Sequence, residues 1–168
     1  MNKIILIFFL ALGFLATRQA VNAATQSVTA NIAFDTAIAL TKNADIDFGV
    51  VEAGVADTYT ITTGAVVTAA GAGQILGGTP VAGDITIVGS ATQTIAVSVG
   101  TLVADSGVTP ANVTCAYDGG GSAACSLTGQ AAPGVGKTLL LGADVVVDGT
   151  QAAGSTAAPT FIVTVVYG

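Results

Sequence analysis

The 168-residue sequence has no histidine and no tryptophan, one methionine and two cysteines. Only 8% of its residues are charged, four basic against ten acidic. Each shortage excludes something. Without histidine there is no Ser-His or Cys-His nucleophile pair and no imidazole ligand for a metal. Four cations cannot neutralise a row of phosphates or hold an anionic membrane surface, so nucleic acid is not an expected partner. The absence of tryptophan removes the side chain that sugar binding usually favours. Because so few residues are charged, Thr, Ser, Gly, Ala and Asn must cover the surface. That composition suits an exported wall or filament protein and not a cytosolic enzyme.

The first 23 residues read MNKIILIFFLALGFLATRQAVNA. Lys3 precedes an apolar run from Ile4 to Ala16, and Val21 and Ala23 stand where a signal peptidase cuts. This is the layout of a secretory signal peptide ending at Ala23. The run is too short for a membrane span, and Thr17 and Arg18 follow it at once. The protein is therefore expected in the periplasm, on the cell surface or outside the cell, with no span left after cleavage. Residues 24–168 are long enough for one domain with its own core. They keep Lys42 and Lys137 and all ten acidic residues, so two positive and ten negative charges give −8.

No stretch of residues 24–168 holds a helical period. Short runs rich in Thr, Val and Ile recur between Gly- and Asp-rich breaks, as half-buried pleated strands require. They are SVTANIAF (27–34), DIDFGVV (45–51), TYTITT (58–63), DITIVG (84–89), TIAVSVG (94–100), NVTCAY (112–117), ACSLTG (124–129), TLLLGADVVVD (138–148) and TFIVTVVYG (160–168). Their number and spacing indicate an all-β protein, an antiparallel immunoglobulin-like β-sandwich. A membrane β-barrel is the competing architecture. It calls for aromatic girdles, and residues 24–168 hold six aromatics, Phe34, Phe48, Tyr59, Tyr117, Phe161 and Tyr167.

Candidate chemistry is sparse. Cys115 and Cys125 lie in CAYDGGGSAAC, and in an oxidising compartment they pair, closing a hairpin whose turn is Asp118 to Gly121. No histidine and no further thiol is present to make them a metal site. APGVGKT (132–138) imitates the end of a phosphate-binding loop, but Ala131 stands where the first glycine belongs and a strand follows. Asp45 and Asp47 could suggest calcium, yet Gly49 and the lack of a closing glutamate break that pattern, leaving them as turn carboxylates. Glu52 and the scattered aspartates show no spacing that calls for a carboxylate pair. Asn112-Val113-Thr114 is a glycosylation sequon that matters only in a eukaryotic secretory route. No enzyme activity, cofactor or metal is expected.

Two stretches are distinctive. VTANIAFDTAIALTKNADIDFGVVEAG (28–54) carries an alternating strand, the Asp45-Ile46-Asp47-Phe48-Gly49 box and a turn at Gly54, and the chain closes on Phe161 to Tyr167. Together they resemble a family of exported bacterial domains of unknown function. More distantly, the chain is similar to subunits of chaperone–usher fimbriae, whose sandwich lacks its last strand and is completed by a neighbour's N-terminal extension. The resemblance implies a donated face of Val28, Ala30, Ile32 and Phe34 and an accepting terminal strand with Phe161, Val163, Val165 and Tyr167. It implies self-association or related subunits as partners, and a periplasmic chaperone. The middle of the chain carries no fimbrial signature, and the two cysteines are closer in sequence than those of many fimbrial subunits.

The terminal strand poses the central question. Both its faces are apolar, which predicts a central or covered position. Residues 27–34 could pair with it from the same chain, giving a self-contained binding module for a glycan or protein, or from another chain, giving a cell-surface filament or adhesive subunit.

Overall fold

The computed structural model describes residues 25–168, so the assigned signal peptide lies outside the described residues. The structure divides into two units, with the boundary between Ala33 and Phe34. In the first, residues 25–33 form no strand and are exposed. This corrects the expected strand over 27–34. An isolated alternating segment has no partner for its amides and carbonyls, and water satisfies them as well as a sheet would.

The second unit carries twelve strands: β1 (Ala39–Ala44), β2 (Val50–Val51), β3 (Ala56–Ile61), β4 (Val67–Ala69), β5 (Ile75–Gly77), β6 (Gly83–Val88), β7 (Ile95–Val103), β8 (Val108–Tyr117), β9 (Ala123–Ala124), β10 (Ser126–Gln130), β11 (Lys137–Asp148) and β12 (Thr160–Tyr167). Every pairing is antiparallel. The protein is a β-sandwich whose sheets do not close into a barrel.

The 12-residue β11 is the spine of the larger sheet. β8 pairs with it from Leu139 to Val147, and β9 continues outward from β8. Two strands share β11's remaining length in succession: β6 takes Lys137–Leu141 and β3 takes Ala143–Asp148. β1 flanks β6 and β4 flanks β3, so the sheet forks at Gly142. The glycine is required by close approach: a Cβ there would lie 2.5 Å from the Ile61 carbonyl oxygen and 2.8 Å from Thr114 Oγ1. The β8 register shifts at the same level, where Asn112 adopts φ +41° and donates from Nδ2 to Asp144 Oδ2 at 2.8 Å.

Alternate residues of β11, Leu139, Leu141, Ala143, Val145 and Val147, are all buried on one face. A three-stranded sheet in the order β10-β7-β12 covers the first half of that face with Ile95, Val97, Leu127, Phe161, Val163, Val165 and Tyr167. Each fully buried aliphatic side chain here stabilises the fold by roughly 1.5–3 kcal/mol. A second cluster, Tyr59, Val108, Val145 and Val147, lies under the second half, beyond the small sheet, where Phe48, Val51 and Ala157 close over it.

Candidate functional site

Where β11 emerges from beneath the small sheet the sandwich is open. A groove of about 1120 Å³ runs there, with Leu40, Ile46, Ile85 and Leu141 on the large-sheet side and Phe161 and Val163 of β12 on the other. It continues over Tyr59, Val145 and Val147, between residues 45–53 and 151–160. Among the described residues β12 hydrogen-bonds to β7 and to no other strand, so it is the edge of its sheet. This corrects the expectation of a central or covered terminal strand. Its inner residues are packed as expected, while Ile162 and Val166 on the outer face are each about half exposed. An unpaired strand edge beside apolar walls is a template for another extended chain.

The wall over 45–51 is built by turns. Only Asp47, through its bridge to Val81, and β2 are strand-paired in the expected strand 45–51. Asp47 Oδ1 accepts the Gly49 amide at 2.8 Å, an Asx turn. Gly49 has φ +72°, and a Cβ on it would fall 2.6 Å from the Gly77 carbonyl oxygen. The turn sets Phe48 against the second core cluster.

The far end of β12 is tied rather than frayed. The Gly168 amide donates to the Thr94 carbonyl at 2.9 Å. The Tyr167 hydroxyl accepts the Ser90 amide at 2.7 Å and donates to the Thr36 carbonyl. Ser90 is fully buried; its Oγ donates to Asp35 Oδ2 at 2.6 Å and accepts the amides of Thr92 and Gln93 at 3.0 Å. The bond from Ser90, then that from the Thr36 amide, holds the Asp35 carboxyl below its ordinary range against a small opposing effect of desolvation. The start of the sandwich and its last strand are thereby joined through one phenol.

Among the described residues, two polar atoms of groove-lining residues are buried without a partner, Tyr59 Oη and Gln151 Oε1. Desolvation, then the nearby charges of Asp57 and Glu52, pushes the Tyr59 phenol up. Asp57 holds the 71–73 loop against this tyrosine. Desolvation acts upward on its carboxyl, but the amides of Thr58, Gly73 and Gly71 together outweigh it and hold the group low. Gln151 is oriented by its Nε2, which donates to Ser106 O at 2.8 Å and Asp148 Oδ1 at 2.9 Å.

Cys115 and Cys125 form a disulfide inside the first core cluster, and β8 and β9 make the clamped hairpin around Asp118–Gly121. Lys137 and Thr138 open β11 directly after Gly136, and Lys137 Nζ pairs with Asp118 Oδ2 at 2.7 Å at the turn of that hairpin. Phe161, Val163, Val165 and Tyr167 all pack against the first core cluster, and Phe161 and Val163 also line the groove. Val28, Ala30 and Ile32 are exposed in the first unit, and Phe34, the first residue of the second, is 87% exposed. Sequence reasoning missed β1, β4 and β5, the Tyr167–Ser90–Asp35 tie and the buried Tyr59. The only signal for the tie was a tyrosine placed next to the end of an otherwise apolar strand.

The molecule is thus an all-β sandwich with a disulfide-clamped hairpin and an apolar groove beside the outer edge of its terminal strand. The chain belongs to the family described as Domain of unknown function (DUF4402), which matches residues 38–167. No curated protein and no solved structure matches it.

Proposed function

We propose that the protein is an exported structural or adhesive subunit of the cell surface that assembles by β-strand addition. In this reading residues 27–34 of one copy lie along the free edge of β12 in another, with Val28, Ala30, Ile32 and Phe34 turned into the groove. The observation that carries it is the unpaired edge of β12 beside a groove walled by Leu40, Ile46, Ile85 and Leu141. The donor supports it by pattern. Val28, Ile32 and Phe34 are 89%, 76% and 87% exposed, large apolar side chains that a soluble protein leaves uncovered only at some cost. An inserted strand gains main-chain hydrogen bonds along β12 and buries those side chains together. A periplasmic chaperone would shield the same edge before assembly.

Residues 24–168 should form concentration-dependent oligomers that survive SDS without boiling, and a Phe34→Asp variant should remain monomeric yet bind a synthetic peptide of residues 24–35. A monodisperse monomer at every concentration, with no peptide binding by either form, overturns the reading.

A further inference from the structure

The chain enters the sandwich at Asp35 without slack. Ser90 Oγ donates to Asp35 Oδ2 at 2.6 Å, and the Thr36 carbonyl accepts from Tyr167 Oη. Both partners are fixed in turn: Ser90 is fully buried, and Tyr167 packs against the first core cluster. Phe34, the last residue of the donated face, stands next to Asp35 in the chain. Consecutive Cα atoms are about 3.8 Å apart, and paired strands bring facing Cα atoms to about 4.5–5.5 Å. With Phe34 seated along β12 of a second copy, Asp35 therefore lies within about 10 Å of that strand's backbone. That is the spacing of packed sheets and leaves no room for a layer of solvent between the two sandwiches. The surface around Asp35 has to meet the neighbour.

That surface is a shallow recess of about 400 Å³, walled beside Asp35 by Thr36, Val88, Ala91, Thr92 and Val135. Among the described residues Asp35 is the one charged group in its lining. Val135 is fully exposed, in the turn from Pro133 to Gly136. Single exposed apolar residues are common on protein surfaces, so the exposure decides nothing by itself. Its position and its rigidity do. Pro133 is buried, and the Gly136 amide donates to the Pro133 carbonyl at 3.1 Å. The Gly134 amide donates to the Ser90 carbonyl and the Gly89 amide to the Gly134 carbonyl, each at 3.0 Å. Ser90 thus positions both Asp35 and the turn that carries Val135. Resting on the assembly reading above, we infer that this recess and Val135 form a second contact between copies: when the N-terminal segment enters a neighbour's groove, this face of the donor subunit seats on the rim of that groove and buries Val135. Each joint is then made by an inserted strand and by the body behind it, with no free linker between them.

Sedimentation equilibrium of residues 24–168 tests this on the parent, on Val135→Asp, on Val66→Asp, and on a Gly-Ser-Gly-Ser insertion between Phe34 and Asp35 with and without Val135→Asp. Val66 is the control, an exposed valine between β3 and β4 that lines neither the recess nor the groove. Val135→Asp should weaken association about tenfold or more, because it carries a carboxylate into the contact without a partner. Val66→Asp adds the same charge and should associate like the parent. Peptide 24–35 should bind the Phe34→Asp form equally well with and without Val135→Asp, since a free peptide brings no body with it. The inserted linker adds a reach of about 13 Å, so the bodies can part and Val135→Asp should then change nothing. If Val135→Asp associates like the parent, the inference falls while assembly stands. An equal loss with the linker in place, or a loss of peptide affinity, also overturns it, because Val135 would then act other than through the forced approach of the two bodies. If the parent neither associates nor, as Phe34→Asp, binds the peptide, both readings fall.

Discussion

Replacing Tyr167 by Phe removes one oxygen from the last turn of the chain and should be felt throughout the sandwich. The ring stays packed against the first core cluster, so little apolar burial is lost. What is lost is the acceptor for the Ser90 amide, at a residue with no exposed surface, and the donor to the Thr36 carbonyl. An orphaned buried amide costs about 1–3 kcal/mol and a carbonyl that water can reach less, so the change should total about 2–3 kcal/mol. A fold of about 130 residues, the span from 38 to 167, unfolds with an entropy near 0.27 kcal/mol/K. The melting temperature should therefore drop by about 7–11 °C. Calorimetry on the oxidised protein measures this, and hydrogen exchange locates it: the Ser90 amide should lose protection while amides of central β11 exchange only as fast as the global destabilisation demands. A melting temperature within about 2 °C of the parent, with Ser90 still protected, would show that the tie contributes nothing and refute the reasoning.

Three further outcomes follow from the same structure. Reducing the Cys115–Cys125 bond, which closes a loop of sequence separation 10, should lower unfolding free energy by roughly 2–3 kcal/mol in urea titrations with and without reductant. Gly142→Ala should cost at least about 2 kcal/mol by the same titration, because the added methyl meets the Ile61 carbonyl and the backbone of Thr62, neither of which can turn aside as a side chain does. Asp57 has a depressed carboxyl in the folded state, so the stability it contributes is present above the ordinary aspartate range near pH 4 and is lost as pH falls through its lower folded value. Melting temperatures measured from about pH 5 to pH 2 should fall less steeply for Asp57→Asn than for the parent, and an equal slope would remove Asp57 from the acid response.

How far the sequence could be read depended on the kind of interaction. Strands β3, β6, β7, β8, β11 and β12 were visible because Thr, Val and Ile alternate along them between glycine breaks, and the pleat turns that alternation directly into burial. The disulfide was visible because two thiols, with no histidine beside them to complete a metal site, leave few alternatives. β1, ALTKNA, was not visible: five of its six residues are exposed, so no buried face imposes a pattern. β5 hides in a glycine-rich stretch and owes its existence to pairing with β2. SVTANIAF erred in the other direction, since its pattern is that of a strand but a pattern cannot supply a partner. The groove walls come from residues as distant as Leu40, Leu141 and Phe161, which only the folded topology gathers. Tyr59 looked like any aromatic in a strand, because whether a hydroxyl is paired depends on loops that sequence spacing does not place.

The tie at Tyr167 also has a mechanical meaning. Thr36, from which the chain leads back to the N-terminal segment, is bonded to the last strand itself and not to a flexible loop. A pull on the segment before Asp35 enters the sandwich at Asp35 and Thr36, where Ser90 and Tyr167 grip it, and divides there between β1, next along the chain, and β12 through the phenol. The two strands belong to different sheets, so a load applied at one end of the chain is shared at its point of entry by both layers of the sandwich.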